Sequence, residues 1–148
     1  MIISRQIARL TTMITYELSG STRNIDIGLL DDVIVLAFEH LDFECHITLI
    51  FRKLTGKIKF GYCDYQDDEI EIVISSSLRT DEIVRTLFHE IVHAKQFLDG
   101  RLCTDGGYTW MGETYDLPYN QRPWEIEAFT EEQKMIDLFY DMENRDYE

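Results

Sequence analysis

The segment His89-Glu90-Ile91-Val92-His93 constrains this chain more than any other. Four residues separate the imidazoles, so on a helix they stand one turn apart on one face. The surroundings supply that helix. Thr80 is a candidate N-cap, Asp81 and Glu82 fall where the helix dipole favours acids, and Asp99-Gly100 is a stop signal after Leu98. Val84, Leu87, Phe88, Ile91, Ala94 and Leu98 form an apolar stripe, with His89, His93 and Gln96 on roughly the opposite side. The stripe is expected to pack on a sheet, with the histidine face turned into a cleft. Two His nitrogens at about 2.0–2.1 Å suit tetrahedral zinc, and the intervening Glu90 reaches the open position as general base. With four His in the chain, a chance match is expected on the order of once in a hundred such sequences.

A catalytic zinc commonly has three protein ligands, and no histidine follows His93. The third must therefore be something else, and carboxylates are the candidates. Arg122-Pro123-Trp124-Glu125-Ile126-Glu127-Ala128 opens the last helix with two of them, on different faces. The inward stripe of that helix is set by Trp124, Ala128, Met135, Phe139 and Met142. Glu125 lies beside this stripe and is the preferred ligand, with Glu127 the second choice. The plain alternative for either is an acid favoured by the helix dipole. Asp99 is better read as a turn residue, because Gln96 stands where a sharp turn toward a third ligand would need glycine. Tyr108, Tyr115, Tyr119 and Arg122 are candidate transition-state donors, among which the sequence makes no choice. Gln96 shares the histidine face and is expected to orient a ligand. Lys95 reads as a solvated charge, His40 and His46 as structural, and Trp110-Met111-Gly112 as a cleft wall or a small core.

The 148 residues suit one domain, with a sheet lobe over about 1–100 and a loop-helix lobe over about 101–148. Ile3 to Ile14 fits a helix weakly, although Thr11-Thr12 and Ile14-Thr15-Tyr16 suit a strand equally. Ile27 to Leu41 has a clear helical period. Strands are expected over Cys45–Leu54, Lys57–Tyr65 and Glu69–Ser75, joined as an antiparallel meander by turns at Thr55-Gly56 and Gln66-Asp67-Asp68. Residues 101–120 read as loop with short strands, and the last helix as Pro123 to about Glu143. The expected class is α+β, a small antiparallel or mixed sheet on the histidine-bearing helix with a C-terminal helical lobe closing the cleft.

No apolar run is long enough to span a bilayer, no leader pattern opens the chain, and Cys45, Cys63 and Cys103 form no Cys-x-x-Cys pair. A cytoplasmic protein with reduced cysteines is expected. The formal charge of -14 disfavours nucleic acid and anionic membranes and favours basic partners.

At His89 to His93 the chain resembles the zinc metallopeptidases with a His-Glu-x-x-His helix, and Glu125-x-x-Ala128 resembles the gluzincin pattern of a glutamate ligand followed by a small residue. Ile70 to Gln96 is similar to SprT-like proteins, and Pro123 to Ala128 resembles a run in small phage-encoded metallopeptidases. SprT-like proteins have a third histidine, which this chain lacks, so their DNA-linked role is not implied. The resemblance implies a zincin-like fold and zinc-dependent peptide hydrolysis, acting in a host cytoplasm if the chain is phage-encoded. The strand Glu69 to Ser75 is then the expected sheet edge for an extended peptide or protein substrate, basic by charge complementarity. The competing readings are an acidic protein-binding module or nucleic-acid mimic, motivated by nine acids in the last 24 residues, and a zincin fold that binds metal without cutting.

Overall fold

The computed structural model describes residues 1–10 and 12–145. Thr11, and the last acids Asp146 and Glu148, lie outside the described residues. The protein is α+β, a mixed five-stranded sheet with three α-helices among the described residues. Among the described residues no helix is long and apolar enough to cross a membrane.

The ambiguous start is a hairpin, β1 (Ile3–Ala8) on β2 (Met13–Gly20). Alternation decides it: Ile14, Tyr16 and Leu18 of β2 are at most 2% exposed while the intervening residues are not. Helix α1 (Ile27–Leu41) follows, capped where the Asp26 carboxylate accepts from Leu29 N–H at 3.2 Å. It is the crossover that lets β3 (Ile47–Arg52) run parallel to β2.

The expected meander is not formed. β4 (Gly61–Gln66) passes to the sheet edge, and β5 (Glu69–Ser75) returns between it and β3, giving the order β1-β2-β3-β5-β4 with β3 and β5 parallel. Thr55-Gly56 is therefore no hairpin turn, and the strands shorten to Ile47–Arg52 and Gly61–Gln66. The β4–β5 turn does form: Asp67 and Asp68 both have positive φ, 53° and 63°, the left-handed pair of a two-residue hairpin. Burial explains the order. Ile70, Ile72, Val73 and Ile74 are at most 2% exposed, as befits a strand paired on both sides and covered by α2. β5 is thus interior, and the edge strands are β1 and β4. Gly61 opens β4 against a crowded neighbour, since a Cβ there would lie 2.6 Å from the Val73 carbonyl oxygen and 2.9 Å from Thr86 Cγ2.

Helix α2 (Thr80–Leu98) packs on β4 and β5 and against α1 and α3. Its N-cap is Arg79 rather than Thr80, with the Glu82 carboxylate accepting from Arg79 N–H at 3.1 Å. Between Ile83 and Ala94 only Arg85 is exposed, so the histidine face is buried as the apolar stripe is; Leu98 at the end of that stripe is 39% exposed instead. Three short strands, β6 (Leu102–Cys103), β7 (Thr109–Trp110) and β8 (Glu113–Thr114), and a single 3-10 turn at Tyr119–Gln121 lead to α3 (Pro123–Arg145). On α3, Trp124, Ala128, Met135 and Phe139 are buried, but Met142 is exposed beyond the end of the contact.

Candidate metal centre

The first turn of α3 is held by aromatics. Trp124 is 2% exposed, with the Tyr108 ring stacked at 5.4 Å and the rings of Trp110 and Tyr115 both at 6.3 Å. This anchor presents the next residue, Glu125, to α2. Its Oε1 lies 3.0 Å from His89 Nε2 and 2.9 Å from His93 Nε2. The three residues are 6–8% exposed, and their ligand atoms lie within 4.8 Å of one another.

The other nitrogens settle what this contact means. His93 Nδ1 lies 2.7 Å from Gln96 Oε1. Gln96 is fully buried, and its Nε2 donates to the Trp124 carbonyl at 3.0 Å and to Glu127 Oε1 at 3.2 Å. The amide is thus oriented with its oxygen toward His93, whose Nδ1 must carry the proton. His89 Nδ1 donates to Glu132 Oε1 at 2.7 Å. With both protons on Nδ1, two imidazole lone pairs and a carboxylate oxygen turn on one point. They can stand at 3 Å in a buried site only with a cation among them, either extra protons or a metal. The donor set of two imidazoles and one carboxylate fits a divalent metal with an open position.

Electrostatics agrees that the point attracts positive charge: without a metal, both rings hold an extra proton more tightly and Glu125 holds its own less tightly. Burial pushes the Glu125 carboxyl up, but the bonds from His89 and His93 outweigh it and hold the group low. Burial disfavours the charged His89 ring, yet Glu125 and Glu132 outweigh it and raise its pKa. Glu90 is raised by burial and is 6% exposed. Its carboxylate draws no hydrogen bond within 3.5 Å from the described residues, while no side-chain nitrogen or oxygen fully closed to solvent lacks a partner. Glu90 therefore keeps an opening to solvent.

Of the two carboxylates considered, Glu125 joins the histidines and Glu127 does not. Glu127 accepts from Gln96 and from Arg101 Nη1 at 2.7 Å. Asp99 is the helix C-cap, bonded to Lys95 Nζ at 2.8 Å. The Tyr119 ring packs 6.2 Å from that of Phe129, which itself lies 4.7 Å from the His89 ring, and burial, then the Glu125 and Glu90 charges, raise the Tyr119 hydroxyl's pKa. Tyr115 instead donates to Glu113 at 3.2 Å, Tyr108 covers Trp124, and Arg122 donates to the Leu117 carbonyl at 3.1 Å beneath three aromatic rings. Trp110 is core beside Trp124. His40 bridges to Glu131 at 2.7 Å and His46 to Thr15 at 2.9 Å, neither near the cluster.

Glu132 was not singled out from sequence. Its signal was there, an acid seven residues after Glu125 and four after Ala128, in the middle of an apolar stripe. No family model matches the chain, and comparison with curated proteins and with solved structures likewise gave no match.

Proposed function

We propose that this chain is a zinc-dependent peptidase of zincin-like fold, with His89, His93 and Glu125 holding the metal and Glu90 as general base. The observation that carries the reading is the convergence of His89 Nε2, His93 Nε2 and Glu125 Oε1 beside a buried Glu90 that has no other bonding task. Zinc, when bound, polarises water and a substrate carbonyl. Glu90 then takes a proton from the attacking water and returns it to the leaving amine, a role suited to a carboxylate whose burial raises its pKa. Tyr119, whose ring packs on Phe129 beside His89, is the hydroxyl we assign to donate to the oxygen on which charge develops. Gln96 and Glu132 keep both imidazoles in the tautomer that leaves Nε2 bare.

The substrate strand is assigned to β4, the outer strand beside α2, whose far side offers unpaired backbone groups. The net charge of -14 favours a basic peptide there. The test is metal content by plasma mass spectrometry after purification without and with added zinc, followed by cleavage of a basic peptide library. About one zinc per chain, with cleavage lost in Glu90→Gln, is expected. No zinc uptake refutes the centre; uptake without cleavage in the unmodified protein refutes the reaction and leaves a metal-binding fold.

A further inference from the structure

The two imidazoles that face Glu125 are not held alike. His93 Nδ1 meets a neutral amide, Gln96, whereas His89 Nδ1 meets a carboxylate, Glu132, at the same 2.7 Å. Glu132 is 3% exposed, among the most buried acids in the chain, and such a burial needs strong partners. It has two. Oε1 accepts from His89, and Oε2 accepts from Arg85 Nη1 at 2.7 Å. Arg85 lies one turn before His89 on α2 and its side chain is half exposed, so its charge reaches Glu132 from the solvent edge. α3 places the two acids: Glu125 and Glu132, two turns apart, face the same α2 surface, one on each nitrogen of the His89 ring.

Resting on the metal-centre reading, we propose that Glu132 is a positioning residue, and that Arg85-Glu132-His89 is a relay fixing the ring's proton, rotation and basicity for metal. A carboxylate on Nδ1 makes Nε2 a stronger donor than an amide can. His89 is accordingly the electron-rich ligand of the pair, and His93 the weaker one. Arg85 holds one oxygen of Glu132 and so aims the other at His89 Nδ1.

The neighbouring residue provides the control. Glu131 bears the same charge on the same helix, but its carboxylate goes to His40 on α1 and to Lys134. Zinc affinity is measured on the full chain by competition with a chromophoric chelator for the unmodified protein, Glu132→Gln, Arg85→Met and Glu131→Gln. Imidazole nitrogen-proton signals are recorded by NMR on the zinc-loaded forms. Glu132→Gln is expected to weaken zinc binding about 10- to 100-fold and to shift the His89 Nδ1–H signal while that of His93 stays in place. Arg85→Met, at a half-exposed site that the fold tolerates, is expected to weaken it by about three- to tenfold with a shift of the same signal. Glu131→Gln is expected to change it by less than about threefold. Equal affinities for all four proteins, or an unmoved His89 signal in Arg85→Met, overturn the relay while leaving the centre standing. An unmodified protein that takes up no zinc overturns both.

Discussion

Gln96→Met tests the arrangement whether or not a metal is present. Methionine matches glutamine in length and leaves no large cavity, so the loss is confined to hydrogen bonds. Gln96 makes three: to His93 Nδ1 at 2.7 Å, to the Trp124 carbonyl at 3.0 Å and to Glu127 at 3.2 Å. Glu127 keeps Arg101 and is partly open to solvent, so it is resatisfied. The His93 nitrogen is buried and has no second partner, whereas the Trp124 carbonyl keeps its helical bond to the Ala128 amide within α3. The orphaned nitrogen costs about 1–3 kcal/mol and the two weakened acceptors about 0.5–1 kcal/mol together, and the apolar side chain returns about 1 kcal/mol of burial. The net loss is then roughly 0.5–3 kcal/mol, a melting temperature lower by roughly 2–10 °C in a domain of this size. The assay is urea unfolding with chelator present, so that bound metal does not enter. A loss under about 0.5 kcal/mol would mean that the amide does not bridge α2 to α3, and the argument for the His93 tautomer would fall with it.

Glu90→Gln is expected to lower peptide cleavage by about 100- to 10,000-fold with zinc content unchanged, read by mass spectrometry beside a cleavage assay; it should leave stability equal or higher, since it removes a buried charge that no donor serves. Glu125→Ala should empty the centre of zinc, whereas Glu127→Ala should retain it, and equal zinc in the two would remove Glu125 from the ligand set. Trp124→Ala should cost about 3–5 kcal/mol in denaturant unfolding, as the first turn of α3 loses its anchor, and a loss near zero would show that the aromatic cluster does not position Glu125.

What could be read from sequence was local. The bounds of α1 agree with the periodicity from Ile27 to Leu41, and α2 ends at Leu98 before the left-handed Gly100. Strand pairing was not legible, because nothing local to Ile47–Arg52 distinguishes an antiparallel neighbour at β4 from a parallel one at β5. The one available sign was the run Ile70, Ile72, Val73, Ile74, too continuous for a half-buried strand. At the site, the His89/His93 pair is one helix turn and so was visible, and Glu125 was reachable by phase along α3. The burial of the histidine face was not, since it depends on α3 lying against α2. Glu132 was missed because an acid within a helix ordinarily reads as surface.

The distribution of acids along α3 bears on why the cluster is poised for a cation. Glu127 is matched by Arg101, and Glu131 by His40 and Lys134, so each has a cationic or donor partner of its own. Of Glu90, Glu125 and Glu132, only Glu132 has a guanidinium partner among the described residues, that of Arg85. With both imidazoles neutral and all three carboxylates ionised, one guanidinium leaves the buried cluster two positive charges short of neutrality, which two further imidazole protons or one divalent cation would supply. A protein interior does not hold such a deficit. In a chain already at -14, no long-range field offsets it either. A divalent cation at the convergence point of His89, His93 and Glu125 would supply the missing charge at the spot where the lone pairs meet. An exposed acidic binding surface would need none of this, because its carboxylates would remain solvated and its histidines would have no reason to share one oxygen.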